Sequence, residues 1–541
     1  MPKLTVDGRP VEVPTGTRLI EACKQAGVVV PHFCYHPGLS VAGNCRMCMV
    51  EIEMGGRSRV AASCVEPALD GMNIRTASPE VRDTRQGVME FLLLNHPIDC
   101  PYCDCAGECK LQDYYMDWGA IDTGSRRETE PVHKPKRQEI GPHVMLDSER
   151  CVLCSRCVRF CQEVTGTHEL GIEERGSHST LHVAEGKTLD NAYSGNVVDL
   201  CPVGALTDRT FRFQRRVWLL RKADSLCTGC SKGCNLELHF DEQHDYKNES
   251  SGRRVMRVKP RYNEQVNQWW LCDRGRYGFE SIDQGRLLTP RVSRDGQVTA
   301  TDWEDALGET ARRLDDELRR HPDQSAVLFS PDMSCEELLA ARSLFLEQLK
   351  FSRADFQLEQ DPVGQEDGLL MKADLHANRA GCRALGLKRG AFEDGHLLEE
   401  IRSGRVRSLV CFHWDLPALL DAGARELLAK LRFLLVITPH EQAWSELASL
   451  QLPSAVPAEQ AGSFINCDGL GQRFHAAFEP MGEARRGVDL LLALGARLGR
   501  RPAQASWEAL SKRLEAEVPA LAGLVAPRAP LRQVSKEAAP R

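Results

Sequence analysis

Most of the cysteines in this chain are concentrated in its first half. Seventeen of the 22 cysteines lie between Cys34 and Cys272. They form four groups in which thiols at short gaps are joined by one more ligand elsewhere in the chain. A turning backbone can aim such a set at one point, and thiolates are the soft ligands that iron–sulfur clusters require. The groups are Cys34, Cys45, Cys48 and Cys64; His96, Cys100, Cys103 and Cys109; Cys151, Cys154, Cys157 and Cys201; and Cys227, Cys230, Cys234 and Cys272.

The first group has the spacing C-x10-C-x2-C-x15-C. Plant-type 2Fe-2S ferredoxins use C-x4-C-x2-C, so the first gap is longer here, but four thiolates are the number that such a cluster binds. Gly38 and Gly43 lie in the longer gap, where glycine lets a loop wrap closely around sulfur. Cys23, outside this group, shares a helical face with Leu19 and Ile20 and is predicted to pack in the core.

The second group offers one ligand more than a 4Fe-4S cluster needs. His96 and four cysteines lie in the segment HPIDCPYCDCAGEC. Spacing favours His96 together with three thiols and leaves Cys105 out. The alternative is that His96 caps the preceding helical segment, residues 81–94, and that Cys105 completes an all-thiolate set. An imidazole adds no negative charge, so a histidine ligand would make the cluster easier to reduce.

The third group has the C-x2-C-x2-C spacing of bacterial ferredoxins, with a distant Cys-Pro pair, and this pattern predicts one 4Fe-4S cluster. Cys161 follows the run, but Gln162 comes after it where those ferredoxins have proline, so Cys161 is predicted to be a buried thiol without a metal. Arg156 and Arg159 would offset the negative charge of the cluster, although a solvated helix face is the simpler interpretation.

The fourth group combines C-x2-C-x3-C with a distant cysteine in the segment WWLCDRGRYG. Four thiolates also suit a structural zinc ion, which is the alternative here. Because three cluster motifs precede it, we expect another 4Fe-4S cluster. The remaining cysteines stand alone and are predicted to be ordinary packed or surface thiols; they are Cys335, Cys382, Cys411 and Cys467.

Composition limits the class of protein. The 541 residues exceed one ordinary core, and 42% hydrophobic with 27% charged residues is typical of soluble globular proteins. A formal charge of −7 argues against nucleic acid as the main partner. No secretion leader and no apolar run of about 20 residues is found, so we expect membrane contact only through other subunits. Many cysteines in such a chain favour metal binding over disulfides.

The second half of the chain, after about residue 286, has a different pattern. Thr301-Asp-Trp-Glu304 and Ser334-Cys-Glu-Glu337 fit the capping box that opens a helix. Short apolar runs alternate with helical patterns, which predicts a doubly wound parallel sheet. Asp468-Gly469-Leu470-Gly471 lacks the third glycine and the preceding strand of a dinucleotide fingerprint. The apolar runs are Ala326–Phe329, Leu409–Phe412 and Phe433–Ile437.

Four other segments carry weaker predictions. Residues 3–30 predict a hairpin followed by a helix. Residues 121–140 are polar and interrupted by proline, which indicates an exposed connection. The basic segment Arg212–Lys222 would either dock an acidic surface or lie in solvent. The residues from about Val525 onward are rich in Pro, Ala, Lys and Arg and are predicted to be disordered.

Taken in this order, the four motifs resemble the large iron–sulfur subunit of respiratory NADH:quinone oxidoreductases (respiratory complex I). The resemblance rests on HPIDCPYCDCAGECKLQD, on CVLCSRCVRFC with the distant CPVGAL, and on CTGCSKGC with WWLCDRGRYG. GQEDGLLMKADLHANRAG and AEQAGSFINCDGLGQRFHAAFEP resemble the molybdopterin oxidoreductase domain that these subunits retain without the pterin. The chain is short for this family, and no cysteine stands where a molybdenum ligand is expected after Ser334.

The resemblance implies that His96 is a ligand and that Cys105 and Cys161 are not. It implies one 2Fe-2S cluster, three 4Fe-4S clusters and no molybdopterin, with the first three clusters on the main electron route from the flavin subunit. The fourth cluster would lie off that route. The expected partners are the flavin and NADH-binding subunit and other peripheral-arm iron–sulfur subunits, at the cytoplasmic face of the inner membrane.

The predicted fold is multidomain, α+β and α/β. We expect a 2Fe-2S ferredoxin-like β-grasp domain, a 4Fe-4S segment with one histidine and three cysteine ligands, a 4Fe-4S ferredoxin-like domain, a 4Fe-4S domain of molybdopterin-oxidoreductase type, a cofactor-free α/β domain of the same type and a tail. Their expected limits are residues 1–80, 81–120, 121–219, 220–285, 286–524 and 525–541.

The leading functional hypothesis is an electron-transfer subunit of NADH:quinone oxidoreductase, without catalytic residues and without an NAD, flavin or quinone site of its own. One alternative is a molybdenum-dependent formate dehydrogenase subunit, which would need a pterin. Another is the electron-relay subunit of an NAD-reducing hydrogenase, against which the long C-terminal domain argues. The C-terminal half is expected to serve as a scaffold in the leading hypothesis.

Overall fold

The computed structural model describes residues 1–119, 130–241, 253–358, 361–387, 397–419, 423–442, 444, 446–500, 506–524 and 532–533. Met1–Leu220 belong to one compact unit and Arg221–Arg532 to a second. The predicted disordered tail lies outside the described residues except for 532–533, as does the first part of the predicted connection at 121–140. None of the helices that are described is long and apolar enough to cross a membrane.

The first unit begins with a five-stranded sheet that carries one helix. A tight turn at Asp7 and Gly8, both with positive φ, joins the first two strands, as the alternating pattern predicts. The sheet order is β2-β1-β5-β3-β4, and only β1 and β5 run parallel among these pairs. Cys23 is fully buried in this core, as predicted. The elements are β1 (Lys3–Val6), β2 (Arg9–Glu12), α1 (Leu19–Gln25), β3 (Met49–Met54), β4 (Arg57–Ala62) and β5 (Asn73–Arg75).

The rest of the first unit consists of short elements separated by loops that carry the second and third ligand groups. Strands β10, β7 and β6 form a small antiparallel sheet, and β8 pairs with β9. The elements are α2 (Pro79–Asn95), α3 (Lys110–Trp118), β6 (Gln138–Glu139), β7 (Val144–Leu146), α4 (Arg156–Glu163), β8 (Leu170–Glu173), β9 (Thr180–Val183), α5 (Asn196–Leu200) and β10 (Leu206–Asp208).

The second unit opens with an antiparallel meander that carries the fourth ligand group. The order is β13-β12-β11, and the short strand Arg532–Gln533 adds to the β11 edge. The turn between β11 and β12 contains three of the four cysteines, and the remaining one immediately precedes α6. The elements are β11 (Arg221–Leu226), β12 (Asn235–Phe240), β13 (Val255–Pro260) and α6 (Asp273–Tyr277).

A seven-stranded sheet forms the centre of the remaining α/β part. Its order is β15-β14-β20-β19-β18-β16-β17, and β16 to β20 are parallel, so the predicted doubly wound sheet is confirmed. The strands of this part are β14 (Arg291–Arg294), β15 (Gln297–Ala300), β16 (Ser325–Leu328), β17 (Arg353–Asp355), β18 (Ser408–Phe412), β19 (Phe433–Thr438), β20 (Leu450–Pro453), β21 (Gly462–Ile465) and β22 (Gly471–Phe474). The helices are α7 (Trp303–Arg320), α8 (Cys335–Arg342), α9 (Arg379–Ala384), α10 (Leu397–Arg402), α11 (Leu416–Leu419), α12 (Ala424–Leu428), α13 (Gly487–Arg497) and α14 (Trp507–Glu517).

The two predicted helix starts in this part have different outcomes. The capping box of Ser334 and Glu337 is present at the start of α8. The prediction that Thr301 caps α7 is wrong, because Asp302 is the N-cap and its carboxylate accepts the backbone N–H of Asp305. Thr301 instead donates its hydroxyl to the Asp305 carboxylate at 2.6 Å. Threonine and aspartate are both preferred at the N-cap, so the sequence pattern did not distinguish Thr301 from its neighbour Asp302.

Glu336, in the first turn of α8, predicts a pH-dependent stability. Its carboxylate is buried and accepts hydrogen bonds from the Ser463 backbone and hydroxyl, at 2.8 and 2.9 Å. Burial raises the pKa of Glu336 to about 7. A raised pKa favours the neutral carboxyl in the folded state, so this stabilisation is complete below about pH 4.5 and is lost as pH rises through about 7.

We therefore expect Glu336→Gln to raise the free energy of unfolding by ~3 kcal/mol at pH 8 and by ~1 kcal/mol at pH 5. Urea unfolding at the two pH values measures this difference. Glu426→Gln, at an exposed position of α12, is the control and should change neither value. An equal gain for Glu336→Gln at both pH values would show that the carboxyl does not titrate in this range.

Candidate iron–sulfur centres

The first ligand group lies in the loops before β3 and after β4. The Cys45 sulfur accepts the backbone N–H groups of Phe33 and Cys34, both at 3.5 Å. Hydrogen bonds from Cys45 and Cys64 lower the pKa of Cys34, and a hydrogen bond from Cys64 lowers the pKa of Cys48 to about 7. The structure therefore brings the four predicted sulfurs of this group into one connected set.

A buried arginine stands beside the first group. Arg85, on α2, is fully buried and donates from Nη2 to the carbonyl of Met49, the residue after Cys48, at 2.8 Å. Its guanidinium lies 4.1 Å from the centroid of the Trp118 ring, and burial lowers its pKa to about 10. Nε and Nη1 have no hydrogen-bond partner among the described residues. A buried cation with free donors suits a negatively charged cluster on the adjacent cysteine loop.

The second group lines a cavity of about 240 Å³. His96, which directly follows α2, lines this cavity, whereas Cys105 does not. Cys105 contacts Cys109 instead, and this hydrogen bond lowers the pKa of Cys109 to about 7. The arrangement supports His96 over Cys105 as the fourth ligand. The three cysteines that line the cavity with His96 are Cys100, Cys103 and Cys109.

The segment after Cys201 packs directly onto the second group. A Cβ atom at Gly204 would lie 2.4 Å from the Cys103 sulfur, so only glycine allows this approach. The backbone N–H of Lys110 donates to the Pro202 carbonyl at 2.8 Å. The second and third groups are therefore neighbours, although they are far apart in sequence.

The basic segment predicted to dock an acidic surface or to lie in solvent instead packs, in part, on the second group. Arg216 donates to the carbonyl of Cys103 at 2.6 Å and also to the carbonyl of Pro101. The backbone N–H of Phe213 donates to the Asp104 carboxylate at 2.7 Å. This segment therefore holds the ligand loop in place. The sequence pattern of this segment indicates only that one face is basic. It could not predict that Arg216 would bind the carbonyl oxygens of Cys103 and Pro101.

The third group lines a small cavity of about 20 Å³. Burial raises the pKa of Cys151 to about 11 and of Cys201 to about 12, so both thiols would stay neutral until a metal displaces their protons. Cys161 is fully buried and does not line the cavity, and burial together with Glu169 raises its pKa to about 12. This supports Cys161 as a non-ligand. The lining includes the four predicted ligands, Cys151, Cys154, Cys157 and Cys201.

Arg159 joins the first and third groups. It is 7% exposed, so the interpretation of this arginine as part of a solvated helix face is wrong. Its guanidinium donates to the carbonyl oxygens of two predicted ligand residues, Cys34 and Cys154. Asn44 adds a hydrogen bond to the Leu153 carbonyl at 3.2 Å. Because the acceptors are backbone carbonyl oxygens, these contacts hold the loops of the first and third groups together through the main chain.

The fourth group is held by backbone contacts of its own loop and by a glycine. The Cys227 backbone N–H donates to the Cys234 carbonyl at 2.8 Å. A Cβ atom at Gly275 would lie 2.7 Å from the Cys227 sulfur. Any side chain larger than that of glycine would therefore collide with this sulfur. Burial raises the pKa of Cys227 to about 12 and also raises the pKa of Cys234 and of Cys272. Cys230 is buried in the same loop.

The hairpin of β21 and β22 braces the fourth loop. The backbone N–H of Cys467 donates to the Ser231 carbonyl at 2.8 Å, and Gln472 Nε2 donates to the Gly233 carbonyl at 2.9 Å. The sequence Asp468–Gly471 thus lies in a turn that supports a ligand loop. Cys335, Cys382 and Cys411 are buried and Cys467 is exposed, as expected for thiols outside the four groups.

Four ligand sets on a five-stranded sheet, on small ferredoxin-like elements and on a meander define an iron–sulfur protein built from several cluster-binding domains. Models of protein families match the same regions. A 2Fe-2S iron-sulfur cluster binding domain matches residues 2–79, an NADH-ubiquinone oxidoreductase-G iron-sulfur binding region matches 85–123, and the ferredoxin-like domain of NADH-quinone oxidoreductase subunit 3 matches 141–207. The molybdopterin oxidoreductase Fe4S4 domain matches 220–284. The chain therefore carries binding domains for both 2Fe-2S and 4Fe-4S clusters.

Individual relatives show more closely which proteins the chain is similar to. The G subunit of the NADH-quinone oxidoreductase of Rickettsia bellii is 38% identical over 349 residues, which cover 64% of this chain and 48% of that protein. The mitochondrial NADH dehydrogenase [ubiquinone] iron-sulfur protein 1 of Solanum tuberosum is 44% identical over 303 residues, 56% of this chain and 39% of that protein. This chain is thus a relative of the large iron–sulfur subunit of NADH:quinone oxidoreductase, and the resemblance predicted from its motifs is confirmed.

The match has a limited extent. The chain spans about half the length of the curated relatives it matches. The NADH-ubiquinone oxidoreductase 75 kDa subunit of Reclinomonas americana matches at 37% identity over 70% of this chain and 53% of that protein. A solved structure of an NAD+-reducing [NiFe]-hydrogenase also matches, with 30% identity, a TM-score of 0.36, and coverage of 40% of this chain and 91% of that one.

Proposed function

We propose that this chain is an iron–sulfur electron-transfer subunit of an NADH:quinone oxidoreductase, which relays electrons from a flavin subunit towards quinone. One observation carries the proposal. Cysteines of the first three ligand groups are buried in, or packed against, a single hydrophobic cluster, which supports placing the three sites close together. Its members include Cys34, Cys45, Cys109, Cys151, Cys154 and Cys201.

The protein supplies ligands, spacing and shielding in this proposal. Clusters bound at these sites would accept and donate single electrons. Phe33, beside Cys34, and Tyr114, on the helix that follows Cys109, contact each other with ring centroids 5.2 Å apart. Arg159 sets the separation of the first and third groups. In this proposal the chain needs no residue that takes part in bond chemistry and no NAD, flavin or quinone site of its own.

The finer assignments belong to the same proposal. The first group, Cys34, Cys45, Cys48 and Cys64, binds the 2Fe-2S cluster, and the other three groups bind one 4Fe-4S cluster each, without molybdopterin. The domain limits are those expected from the sequence. The partners are the flavin and NADH-binding subunit and other peripheral-arm iron–sulfur subunits, through which the chain reaches the cytoplasmic face of the inner membrane.

Zinc is the competing metal at the fourth group. A structural zinc ion and a 4Fe-4S cluster both take four thiolates, so the number of cysteines does not separate the two. The Fe4S4 domain model matches residues 220–284, and this range contains all four cysteines of the group. We therefore assign a 4Fe-4S cluster to Cys227, Cys230, Cys234 and Cys272. The resemblance to the family places this cluster off the main electron route.

Cys151→Ala tests the proposal. Removing one of four thiolates should eliminate one 4Fe-4S signal in low-temperature electron paramagnetic resonance, with a loss of about four iron atoms per chain. Quinone reduction by the assembled complex should stop, because the third centre lies on the electron route.

Cys467→Ala, which removes an exposed thiol outside the four groups, is the matched control and should keep all signals. A complete set of signals in Cys151→Ala would contradict the assignment of the third group. A wild-type chain that is prepared without oxygen and contains no iron would contradict the proposed function as a whole.

A further inference from the structure

Arg156, at the start of α4, contacts the backbone beside two different ligand groups. Nη1 donates to the carbonyl of Leu200, which precedes Cys201, at 3.2 Å. Nη2 donates to the carbonyl of Tyr35, which follows Cys34. One guanidinium therefore connects a loop of the first group with the distant ligand of the third group. The planar fork of arginine allows two such bonds at once, which an ammonium on a flexible chain does not.

The same side chain faces the third centre. Arg156 lines the cavity that the four thiols of this group enclose. Its Nε is buried and has no hydrogen-bond partner among the described residues. A buried cation with a free N–H beside thiolate ligands is the arrangement expected of a group that interacts with the cluster itself.

Arg159 differs from Arg156 although it lies on the same helix. Every nitrogen of the Arg159 guanidinium has a protein acceptor: Nε the Ser155 hydroxyl, Nη1 the Ser40 carbonyl, and Nη2 the Cys34 and Cys154 carbonyls. Arg159 is therefore fully used in holding the loops together. Arg156 alone of the two keeps a buried N–H without an acceptor among the described residues.

We propose that Arg156 is a positioning residue that sets the reduction potentials of the first and third centres together. The proposal rests on the proposed function. When one electron passes from the first centre to the third, negative charge increases at the third and decreases at the first, and Arg156 keeps its proton and forms no bond. A fixed cation near both centres stabilises their reduced forms and therefore raises both reduction potentials.

Redox titration of the purified full chain, followed by electron paramagnetic resonance, tests the proposal with Arg156→Gln. The first-group 2Fe-2S and third-group 4Fe-4S signals should both need a lower potential for half-reduction. At a fixed potential, we expect the ratio of reduced to oxidised cluster to fall at least tenfold. For a one-electron couple, this fall corresponds to a decrease of about 59 mV in the midpoint potential. The third-group signal is the one that Cys151→Ala removes.

Arg175→Gln removes the same charge from an exposed position of the first unit and should leave every midpoint potential unchanged. The second- and fourth-group signals serve as internal controls. Arg156→Lys keeps the charge but reaches only one of the two carbonyls, so it should shift the midpoint potential of at least one of the two centres.

The outcomes separate this inference from the proposed function. A wild-type chain without the first- and third-group signals contradicts both. Signals that are present in the wild type, but whose midpoint potentials Arg156→Gln leaves unchanged, contradict the role of Arg156 alone. If Arg156→Gln does not assemble, unchanged midpoint potentials of both centres in Arg156→Lys also overturn the role.

Discussion

Replacing Cys109 by alanine should remove the second 4Fe-4S signal, whereas Cys105→Ala should leave it in place. The two cysteines are near neighbours in one loop, where Cys109 is buried and Cys105 is partly buried. Only Cys109 lines the cavity that His96 and two other thiols also line. The pair of variants therefore compares a ligand with a matched thiol a few residues away. Iron content and electron paramagnetic resonance of the purified chain measure the difference.

His96→Cys extends the same test. A fourth thiolate adds a negative charge to the ligand set, so the second centre should still assemble but should become harder to reduce. The midpoint potential of its signal is the measurement. If instead His96→Ala keeps the signal while Cys105→Ala abolishes it, then His96 only ends α2 and Cys105 is the ligand.

Glu459→Gln should lower the stability of the second unit by ~3–5 kcal/mol, because it leaves buried arginines without their main counter-charge. The Glu459 side chain is fully buried and binds Arg286 and Arg254, each with a distance of 2.7 Å. Asp283 binds Arg254 at 2.6 Å. Burial acts to raise the pKa of Glu459, but the bonds and charges of Arg286 and Arg254 outweigh it and lower that pKa.

This network ties the segment that follows the fourth ligand group to the α/β part of the second unit. Hydrogen exchange of peptides that cover β13 measures the opening of the junction, and exchange should become roughly a hundredfold to a thousandfold faster. Glu441→Gln is the control, since Glu441 pairs with Arg291 at a partly exposed site and its loss should cost less than ~1 kcal/mol. Equal exchange in the two variants would contradict a supporting role of Glu459.

Cysteine spacing was enough to propose the candidate sites, because cluster ligands need fixed residue types at short gaps. It left His96 and Cys105 as alternatives, since both lie within reach of the same loop, and the cavity supports His96. Gly204 and Arg85 could not be found from the sequence. Their importance depends on Cys103 and Met49, which are distant in the chain and come close only in the folded protein.

In the α/β part, too, features set by neighbouring residues could be predicted, whereas features set by contacts between distant residues could not. Apolar runs predicted its sheet, and the capping box at Ser334 predicted the start of α8, because both signals are local. The order of its strands and the bracing of the fourth loop by Gln472 depend on contacts between remote segments. Composition and periodicity do not predict contacts between segments that are far apart in the chain.

The close packing of Gly204 on Cys103 has a consequence for biogenesis. The second ligand set is complete in sequence at Cys109, but its final shape requires a segment that the ribosome delivers about a hundred residues later. Iron loaded onto the nascent chain before that segment arrives would sit in an open loop exposed to oxygen. We therefore expect maturation factors to fill the second and third sites after release of the chain, and in the same step.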